Sequence, residues 1–282
     1  MYFLKPHIID LLLKMINNKI YDCITFFREN FITNIRFEVL KDVVDYFVVC
    51  ESAYDHKGNK KNLNFKLQNI ALKKKLIYIV LNHPFPSNLD IWGRQAYQRE
   101  YIFKGLAGAN QEDYIMYSDP DEIPNPRSIM ELNLKKKFGI FLQKHFVYKF
   151  NIANNYDSPW AGTRVSRMKN LTSFDYMRQK VLLKNLKKWW RPDKEKSVEL
   201  IDNGGWHFNN LFSAEELSIK LKTFAHEEFA TDEYSNVGII QEKIKEKKDL
   251  FNRGQIFKKV DLDNSFPEYI FKNQKKFNKF ID

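Results

Sequence analysis

The sequence is poor in cysteine, glycine and proline, and each shortage excludes a class of protein. Its 282 residues include two cysteines, Cys23 and Cys50, too few for a disulfide scaffold or for a zinc site built mainly of thiolates. Both lie in apolar runs, which indicates buried free thiols in a reducing compartment. With 10 glycines and 9 prolines, the chain is neither collagen-like nor of low complexity.

Long apolar runs are also missing. No stretch of about 18 consecutive apolar residues is present, so we expect no transmembrane segment. The opening MYFLKPHIIDLLLKMINNK lacks a basic start and a small-residue cleavage site, and is typical of an amphipathic helix rather than a signal peptide. We therefore predict a cytoplasmic location.

The chain contains enough apolar residues to fold and carries an excess of positive charge. It is 44% hydrophobic and 29% charged, which excludes a disordered protein. Lys and Arg number 46 against 35 Asp and Glu, a net charge of +11. This excess favours anionic partners, namely nucleotides, nucleic acid or a membrane surface.

The first half alternates between strand and helix patterns. Strands are predicted at KIYDCITFF, DYFVVCES, LIYIVL and DYIMYSD, with helices over residues 35–44, 65–75 and 87–106 between them. Ser87 and Asp90 resemble a capping box at the start of the third helix. The alternation predicts an α/β fold with a mostly parallel central sheet flanked by helices.

The second half is less regular. FGIFLQKHFVYKFN predicts one long strand or a pair of strands, and helices are predicted over residues 213–224 and 236–251. The first of these begins with a capping box formed by Ser213 and Glu216.

An acidic segment follows the fourth predicted strand, in YIMYSDPDEIPNPRS. Pro120 biases Asp119 towards extended backbone, in which Asp119 and Asp121 project to one face. No basic residue lies among these carboxylates, and such a cluster repels itself unless it holds a cation. Oxygen ligands suit Mg²⁺ or Mn²⁺, so we predict a metal site of Asp119 and Asp121 with Glu122 in support. The alternative is an ordinary solvated turn.

A divalent ion at a strand end of a basic α/β protein indicates the handling of a nucleoside diphosphate. The sequence contains neither a Walker-type phosphate loop nor a G-x-G-x-x-G motif, which argues against a P-loop NTPase and a dinucleotide dehydrogenase. Among the remaining reactions of nucleoside diphosphates, glycosyl transfer from a sugar nucleotide fits these features.

Five blocks of the sequence resemble one enzyme family. The blocks are IYDCITFFREN, LKDVVDYFVVCES with HKGNKKNLNF, RQAYQRE, YSDPDEIP, and GGWHF with FAHEEF. In this order they resemble glycosyltransferase family 17, the β-1,4-mannosyl-glycoprotein β-1,4-N-acetylglucosaminyltransferases. The resemblance implies a GT-A-like (Rossmann-related) fold, a UDP-sugar donor (UDP-GlcNAc expected), Mn²⁺ or Mg²⁺, inversion at the anomeric carbon, and a glycan or glycoconjugate acceptor. We accordingly expect one catalytic domain over residues 1–282, with a nucleotide-sugar half at about 19–125, an acceptor half at about 126–260, and a basic tail at 261–282.

The resemblance assigns roles in the donor half. Asp121 is the expected direct metal ligand. Glu51, at the end of the second strand, is placed to accept ribose hydroxyls or the uracil N–H, although it also fits an exposed strand end. His56 is a candidate phosphate contact in a loop that equally fits plain solvation. Arg94 and Arg99 are candidate diphosphate ligands, although their i,i+4 partners also fit a surface helix.

Further candidates lie late in the chain. Gly205 is expected to let the backbone approach the donor, and Trp206 to stack on a sugar. His207 is the candidate that completes the metal shell, against the alternative of a hydrogen-bonded core histidine. Inverting transfer needs a carboxylate base. The candidates for that base, in order of preference, are Glu228, Glu227 and Asp202.

Other functions remain open from the residues alone. The charge permits a nucleic-acid-binding protein, although no recognised motif supports specific nucleic-acid binding. A nucleotidyltransferase or phosphotransferase would use the same acidic metal site. A carbohydrate-binding module is disfavoured by the intact acidic segment. The basic run of residues 184–196, with two tryptophans, fits either an acceptor or peripheral-membrane patch or a solvated loop.

Overall fold

The computed structural model describes residues 18–188, 190–223 and 231–282. The strands are β1 Ile20–Phe26, β2 Tyr46–Ser52, β3 Leu76–Leu81, β4 Tyr114–Ser118, β5 Glu122–Pro124, β6 Phe138–Val147, β7 Ile152–Ala153, β8 Trp160–Arg167, β9 Val198–Asn209 and β10 Lys258–Lys259. The helices are α1 Asn30–Leu40, α2 Ile91–Tyr101, α3 Pro126–Met130, α4 Phe174–Gln179, α5 Leu183–Leu186, α6 Ala214–Thr223, α7 Asp232–Ser235, α8 Val237–Glu246 and α9 Glu268–Lys272. Short 3₁₀ turns cover Ile70–Lys75, Ile102–Gly105, Met168–Asn170 and Asn278–Phe280.

The described strands form one mixed sheet. Its order is β10-β7-β6-β8-β4-β1-β2-β3, and β9 lies between β6 and β5. Strands β3, β2, β1 and β4 are parallel, because helical crossovers connect them. Strand β8 pairs antiparallel with both β4 and β6, whereas β9 is parallel to β6. The predicted α/β fold with helices flanking a central sheet is confirmed, and the first half of the chain supplies its four adjacent parallel strands.

Apolar side chains cover both faces of the sheet. One core joins Phe26 and Phe47 of the strands to Ile35 and Phe37 of α1. The other contains both cysteines together with residues of the Ile102–Gly105 turn and α4. Cys23 and Cys50 are buried free thiols, as predicted.

Several predicted helix boundaries were wrong. Residues 65–69 are not helical, and only Ile70–Lys75 forms a 3₁₀ turn. Helix α2 begins after Asp90, whose side chain accepts a hydrogen bond from the Gly93 N–H, so the Ser87 capping box does not form. By contrast, the Ser213–Glu216 capping box before α6 is present in both directions.

The basic tail contributes to the core rather than forming a separate arm. Phe266, Ile270 and Phe277 are buried against the same cluster as α1. Asn151 fixes the end of the chain, because its side chain accepts from the Asp282 N–H at 2.8 Å. In the described part of the chain, no helix has the length and apolarity that crossing a bilayer requires.

Candidate active site

The acidic motif lies where β4 ends, and it folds into a tight turn. The Glu122 N–H donates to the Asp119 carbonyl at 3.1 Å and closes the turn around Pro120 and Asp121. Proline favours this geometry, since its fixed φ suits the second position of a β-turn. The predicted extended backbone was wrong, and the two aspartates consequently have different partners.

Glu122 is completely buried, and protein donors occupy its carboxylate. Arg178 donates to it twice, from Nη1 to Oε2 at 3.0 Å and from Nη2 to Oε1 at 2.9 Å. Trp160 Nε1 donates at 2.7 Å, and the Asp119 N–H at 3.2 Å. Burial opposes ionisation, but Arg178, His207 and Trp160 together outweigh it and lower the pKa of Glu122. These four contacts fill the acceptor positions of the carboxylate, which leaves none for the predicted supporting role at a metal.

Arg178 also holds Asp119. Its Nη2 lies 2.5 Å from Asp119 Oδ2, and that carboxylate is 41% exposed. Arg178 is in the last turn of α4, which begins at the Ser173 side-chain cap. One guanidinium from α4 therefore pairs with two carboxylates of the turn and offsets one of their two negative charges.

A second arginine supports the turn from inside the protein. Arg36 of α1 and Asp22 of β1 form a fully buried ion pair, with Nε–Oδ2 and Nη2–Oδ1 distances of 2.7 and 2.5 Å. The same guanidinium donates to the Glu122 carbonyl at 2.6 Å and to Ser118 Oγ at 2.7 Å. The backbone of the turn is thereby fixed to α1 and β1.

Asp121 faces His207 instead. Strands β5 and β9 place Glu122 opposite His207, and the Phe208 N–H donates to the Asp121 carbonyl at 2.9 Å. This pairing leaves His207 Nε2 3.6 Å from Asp121 Oδ1. Burial would raise the pKa of Asp121, but His207 and Lys220 together outweigh it and the pKa is lowered. Two predicted metal residues, Asp121 and His207, are thus brought together at the carboxyl edge of the sheet.

Aromatic rings enclose His207. His145 lies opposite His207 on β6, and their rings stack with centroids 4.5 Å apart and planes inclined by 17°. The Trp160 ring centroid is 4.7 Å from that of His207. His207 Nδ1 and both ring nitrogens of His145 have no hydrogen-bond partner in the part of the chain that the structure describes. The site therefore contains buried nitrogens with unused hydrogen-bonding capacity.

Glu51 serves a loop rather than an open pocket. Its buried carboxylate accepts from Lys61 Nζ at 2.8 Å and from the backbone N–H groups of Asn64 and Phe65 at 2.7 and 3.0 Å. Tyr78 donates its hydroxyl at 2.8 Å. The predicted ribose or uracil contact does not fit this arrangement, because the acceptor positions are already occupied.

The other donor-half candidates contact protein groups. His56 Nε2 and Gln98 Oε1 are 2.9 Å apart, and burial lowers the pKa of His56. Arg94 donates to the His56 carbonyl at 3.2 Å, and its Nε has no partner within the described residues. Arg99 is buried and bonds to Asp175 at 2.7 Å and to the Tyr117 hydroxyl at 3.2 Å. Arg94 thus keeps a buried donor, whereas Arg99 ties α2 to α4.

Gly205 and Trp206 have structural roles in β9. Gly205 has φ +121°, and a Cβ there would lie 2.2 Å from the Ile123 carbonyl, so only glycine permits the β5–β9 pairing. The Trp206 ring is buried at 6% exposure, and its Nε1 donates to the Ser265 carbonyl at 3.0 Å. Only this small part of the ring is exposed, where Trp206 lines a surface groove, and its stacking on a sugar stays a prediction.

The candidates for the base are separated. Asp202 is exposed and lines a surface groove with Asn125, Ser128 and Trp206, whereas Asp121 and His207 do not line that groove. Glu227 and Glu228 lie outside the described residues. Among residues 18–188, 190–223 and 231–282, no three His, Cys, Asp or Glu side chains converge to hold a metal ion, so the predicted four-residue shell is not assembled.

A family model of glycosyltransferase family 17 matches residues 10–278, nearly the whole chain. The chain belongs to glycosyltransferase family 17. Its relatives include the β-1,4-mannosyl-glycoprotein 4-β-N-acetylglucosaminyltransferase of Rattus norvegicus, 30% identical over 126 residues, which are 41% of this chain and 23% of that protein. The Homo sapiens protein of the same name is 32% identical over 111 residues, 36% of this chain and 21% of its own. The matched stretch spans less than a quarter of the length of these relatives.

Solved structures resemble this family 17 chain only distantly. Glucosyl-3-phosphoglycerate synthase from Mycobacterium tuberculosis, in complex with Mn²⁺, UDP and phosphoglyceric acid, has a TM-score of 0.40 at 11% identity, covering 73% of this chain and 75% of that one. Its complex with Mg²⁺ and UDP has a TM-score of 0.41 at 11% identity, covering 77% and 80%. At TM-scores below 0.5 these likenesses carry no part of the assignment.

The family 17 site contains residues that the sequence did not reveal. Arg178 is 59 positions from Asp119, and nothing near it marks it as a partner of the acidic turn. His145 lies within FLQKHFVYKF, where strand alternation places it among inward-facing residues. Arg36 carries the clearest local signal, a charged residue on the apolar face of a predicted helix.

Proposed function

We propose that this family 17 member is a metal-dependent inverting glycosyltransferase that transfers N-acetylglucosamine from UDP-GlcNAc to a hydroxyl of a glycan. The names of the curated relatives support the donor sugar and the glycan acceptor. The facing pair of Asp121 and His207 at the carboxyl edge of the sheet supports metal dependence, and it is the observation on which the proposal chiefly rests.

The spacing of that pair fits a divalent ion. Two donor atoms that each lie about 2.1 Å from one ion, at angles of 90° to 120°, are roughly 3.0 to 3.6 Å apart. The Asp121 Oδ1–His207 Nε2 distance of 3.6 Å is at the upper end of this range. Mg²⁺ and Mn²⁺ sites of this kind take their remaining ligands from substrate phosphates and water. A bound Mn²⁺ or Mg²⁺ would offset the negative charge that develops on the departing UDP.

The protein groups around the pair serve binding and orientation. Strand pairing and the His145 ring fix the His207 imidazole, and the Phe208 N–H fixes the backbone of Asp121. Lys220 also contributes to the lowered pKa of Asp121, so positive charge lies close to this carboxylate. The edge is therefore prepared to receive a diphosphate.

Inverting transfer further requires removal of a proton from the acceptor hydroxyl as its oxygen attacks the anomeric carbon. We assign the role of accepting that proton to Glu228, with Glu227 as the neighbouring alternative. Asp202 is less suitable, because the groove that it lines does not include Asp121 or His207. A Glu228→Gln variant is expected to keep donor binding and to lose about 10²- to 10⁴-fold in transfer rate. If Glu227→Gln shows this loss instead, the base is one position earlier.

The donor site is tested by thermal shift with UDP, GDP, CMP and UDP-sugars, each with and without Mn²⁺. A ligand that binds only the native state raises the melting midpoint. We expect a shift for UDP compounds that requires Mn²⁺, and we expect Asp121→Asn to lose it while keeping the ligand-free midpoint. Asp193→Asn, an exposed carboxylate in the loop of residues 190–196, is the matched control. Full metal-dependent turnover in Asp121→Asn would refute the site.

Product analysis separates this proposal from the nucleotidyltransferase alternative. Glycosyl transfer consumes a UDP-sugar and releases UDP, whereas nucleotidyl transfer releases pyrophosphate. Detection of pyrophosphate without UDP would assign the acidic site to that other reaction.

A further inference from the structure

Positive charge is concentrated at one place that the proposed reaction does not use. Five cationic side chains line one surface depression: Lys135, Lys136, Lys137, Arg167 and Lys169. Glu112 shares the depression and pairs with Arg167 at 2.8 Å and with Lys169 at 2.5 Å. The depression therefore retains a clear excess of positive charge.

This basic face lies at the opposite edge of the sheet from the acidic turn. Lys137 immediately precedes β6, and Arg167, the last residue of β8, pairs with Tyr114 at the start of β4. The acidic turn follows the other end of β4, a strand of five residues or about 17 Å. The cations are thus too far from the candidate site to act on a ligand there.

Residues 190–196, the later part of the basic run, form a loop that continues this face. The Lys137 N–H donates to Ser197 Oγ at 3.0 Å, which brings the end of the loop beside the lysine run. Lys196 Nζ donates to the carbonyls of Lys188 and Arg191, so the loop is folded onto itself. From the sequence, this basic run had two interpretations: an acceptor or membrane-surface patch, or a solvated loop with one tryptophan buried in the core. In the structure, the Trp190 side chain is 60% exposed.

A second exposed apolar side chain borders the same cations. Leu200 is 44% exposed and follows Glu199, whose carboxylate accepts from the Lys135 N–H at 2.8 Å. Large apolar side chains exposed among lysines are typical of surfaces that lie on a bilayer, where tryptophan occupies the headgroup level.

We propose that this basic face binds the surface of a membrane rich in anionic lipids. Closely spaced like charges repel one another, and an anionic surface relieves that repulsion. Lysine dominates the cluster, and lysine acts as a point charge towards lipid phosphates rather than as a fork that reads bases. Bound in this way, the protein directs the acidic turn away from the bilayer, so the acceptor approaches from the aqueous side.

The test is co-sedimentation of the full chain with phosphatidylcholine vesicles, with and without phosphatidylserine, at low and high salt. Lys135→Glu/Lys137→Glu removes charge from the basic face. Lys73→Glu/Lys74→Glu makes the same change in net charge in the Ile70–Lys75 turn, before β3 at the far edge of the sheet. Both pairs are exposed, and the melting midpoint of each variant checks its fold.

We expect binding to the phosphatidylserine vesicles that declines at high salt, and little binding to phosphatidylcholine alone. Each lysine near an anionic bilayer contributes about a factor of five, so the Lys135/Lys137 variant should bind at least about thirtyfold more weakly, with the control within a few-fold of wild type. Equal losses in both variants, or no binding to anionic vesicles, would overturn the proposal. So would binding to a single-stranded oligonucleotide, but not to vesicles, through Lys135 and Lys137.

Discussion

Replacing Arg178 by methionine should destabilise the protein through the carboxylate that it leaves behind. Arg178 and Glu122 are 13% and 0% exposed, and two hydrogen bonds join them. Removing one partner of a buried ion pair costs about 3 to 5 kcal/mol, because the other charge remains buried without compensation. Glu122 keeps its hydrogen bonds from Trp160 and the Asp119 N–H, so we expect the lower end of this range, about 3 kcal/mol.

The deficit should depend on pH in a defined direction. In the wild type the pKa of Glu122 is lowered, so its stabilising contribution is present at neutral pH and declines as pH falls through that native pKa. In Arg178→Met, burial raises the pKa of Glu122 instead, and protonation on acidification relieves the variant. The difference in unfolding free energy between the two proteins should therefore be large at pH 7 and smaller near pH 4.

Urea denaturation at both pH values measures this difference. The matched control is Arg191→Met, which removes an exposed arginine paired with Asp193 at 2.7 Å and should leave the midpoint near the wild-type value. The double variant Arg178→Met/Glu122→Gln should recover part of the loss, because it removes the uncompensated charge. A deficit below about 1 kcal/mol at pH 7, or one that is equal at pH 4, would refute the reasoning.

Two further substitutions test the β9 side of the site. Gly205→Ala should lower the urea midpoint, because Gly205 has φ +121° and an added Cβ would lie 2.2 Å from the Ile123 carbonyl. The control Gly108→Ala should leave the midpoint unchanged, because open space surrounds that position. Equal effects of the two substitutions would contradict the β5–β9 pairing. His145→Phe should match or exceed wild-type stability at pH 7, because it removes two unpartnered buried nitrogens. Burial, and then His207, lower the pKa of His145 to about 3, so between pH 6.5 and about pH 3 wild type should lose about 1.4 kcal/mol of stability per pH unit through this residue, and the variant should not.

The sequence predicted those elements whose residues determine them locally. LIYIVL became β3 at the predicted residues, since its four central positions are β-branched or aromatic residues of high strand propensity. Strand β9 was not predicted, because its paired glycines argue against a strand when only local propensity is considered. Those glycines are required by tertiary contacts, in which Gly204 and Gly205 pass close to the backbones of Leu142 and Ile123.

The site was predictable in part: the sequence indicated several of its residues but not their partners. The acidic residues were visible as a local pattern, and His207 entered through the family resemblance. Whether such a residue is free to bind a ligand depends on its partners in the fold, and these come from distant segments of the chain. No local rule connects Glu51 with the amides of Asn64 and Phe65, or Arg178 with Glu122. Charge pairing across the fold therefore has to be read from the structure.

At the acidic turn, charge pairing across the fold changes which residues can bind a metal ion. From the sequence, three carboxylates without a basic neighbour predicted a metal ion that offsets their repulsion, with a solvated turn as the alternative. In the structure, Arg178 forms ion pairs with both Asp119 and Glu122, and Arg36 donates to the Glu122 carbonyl. The repulsion is thus reduced without metal, and the pair of Asp121 and His207 stays available to a divalent ion. A site with these two protein ligands depends on the donor diphosphate for further oxygen ligands. It follows that metal and nucleotide should bind cooperatively, each weakly when alone, and titration of Mn²⁺ with and without UDP would detect that coupling. Tight Mn²⁺ binding in the absence of nucleotide would show that the chain supplies ligands beyond this pair.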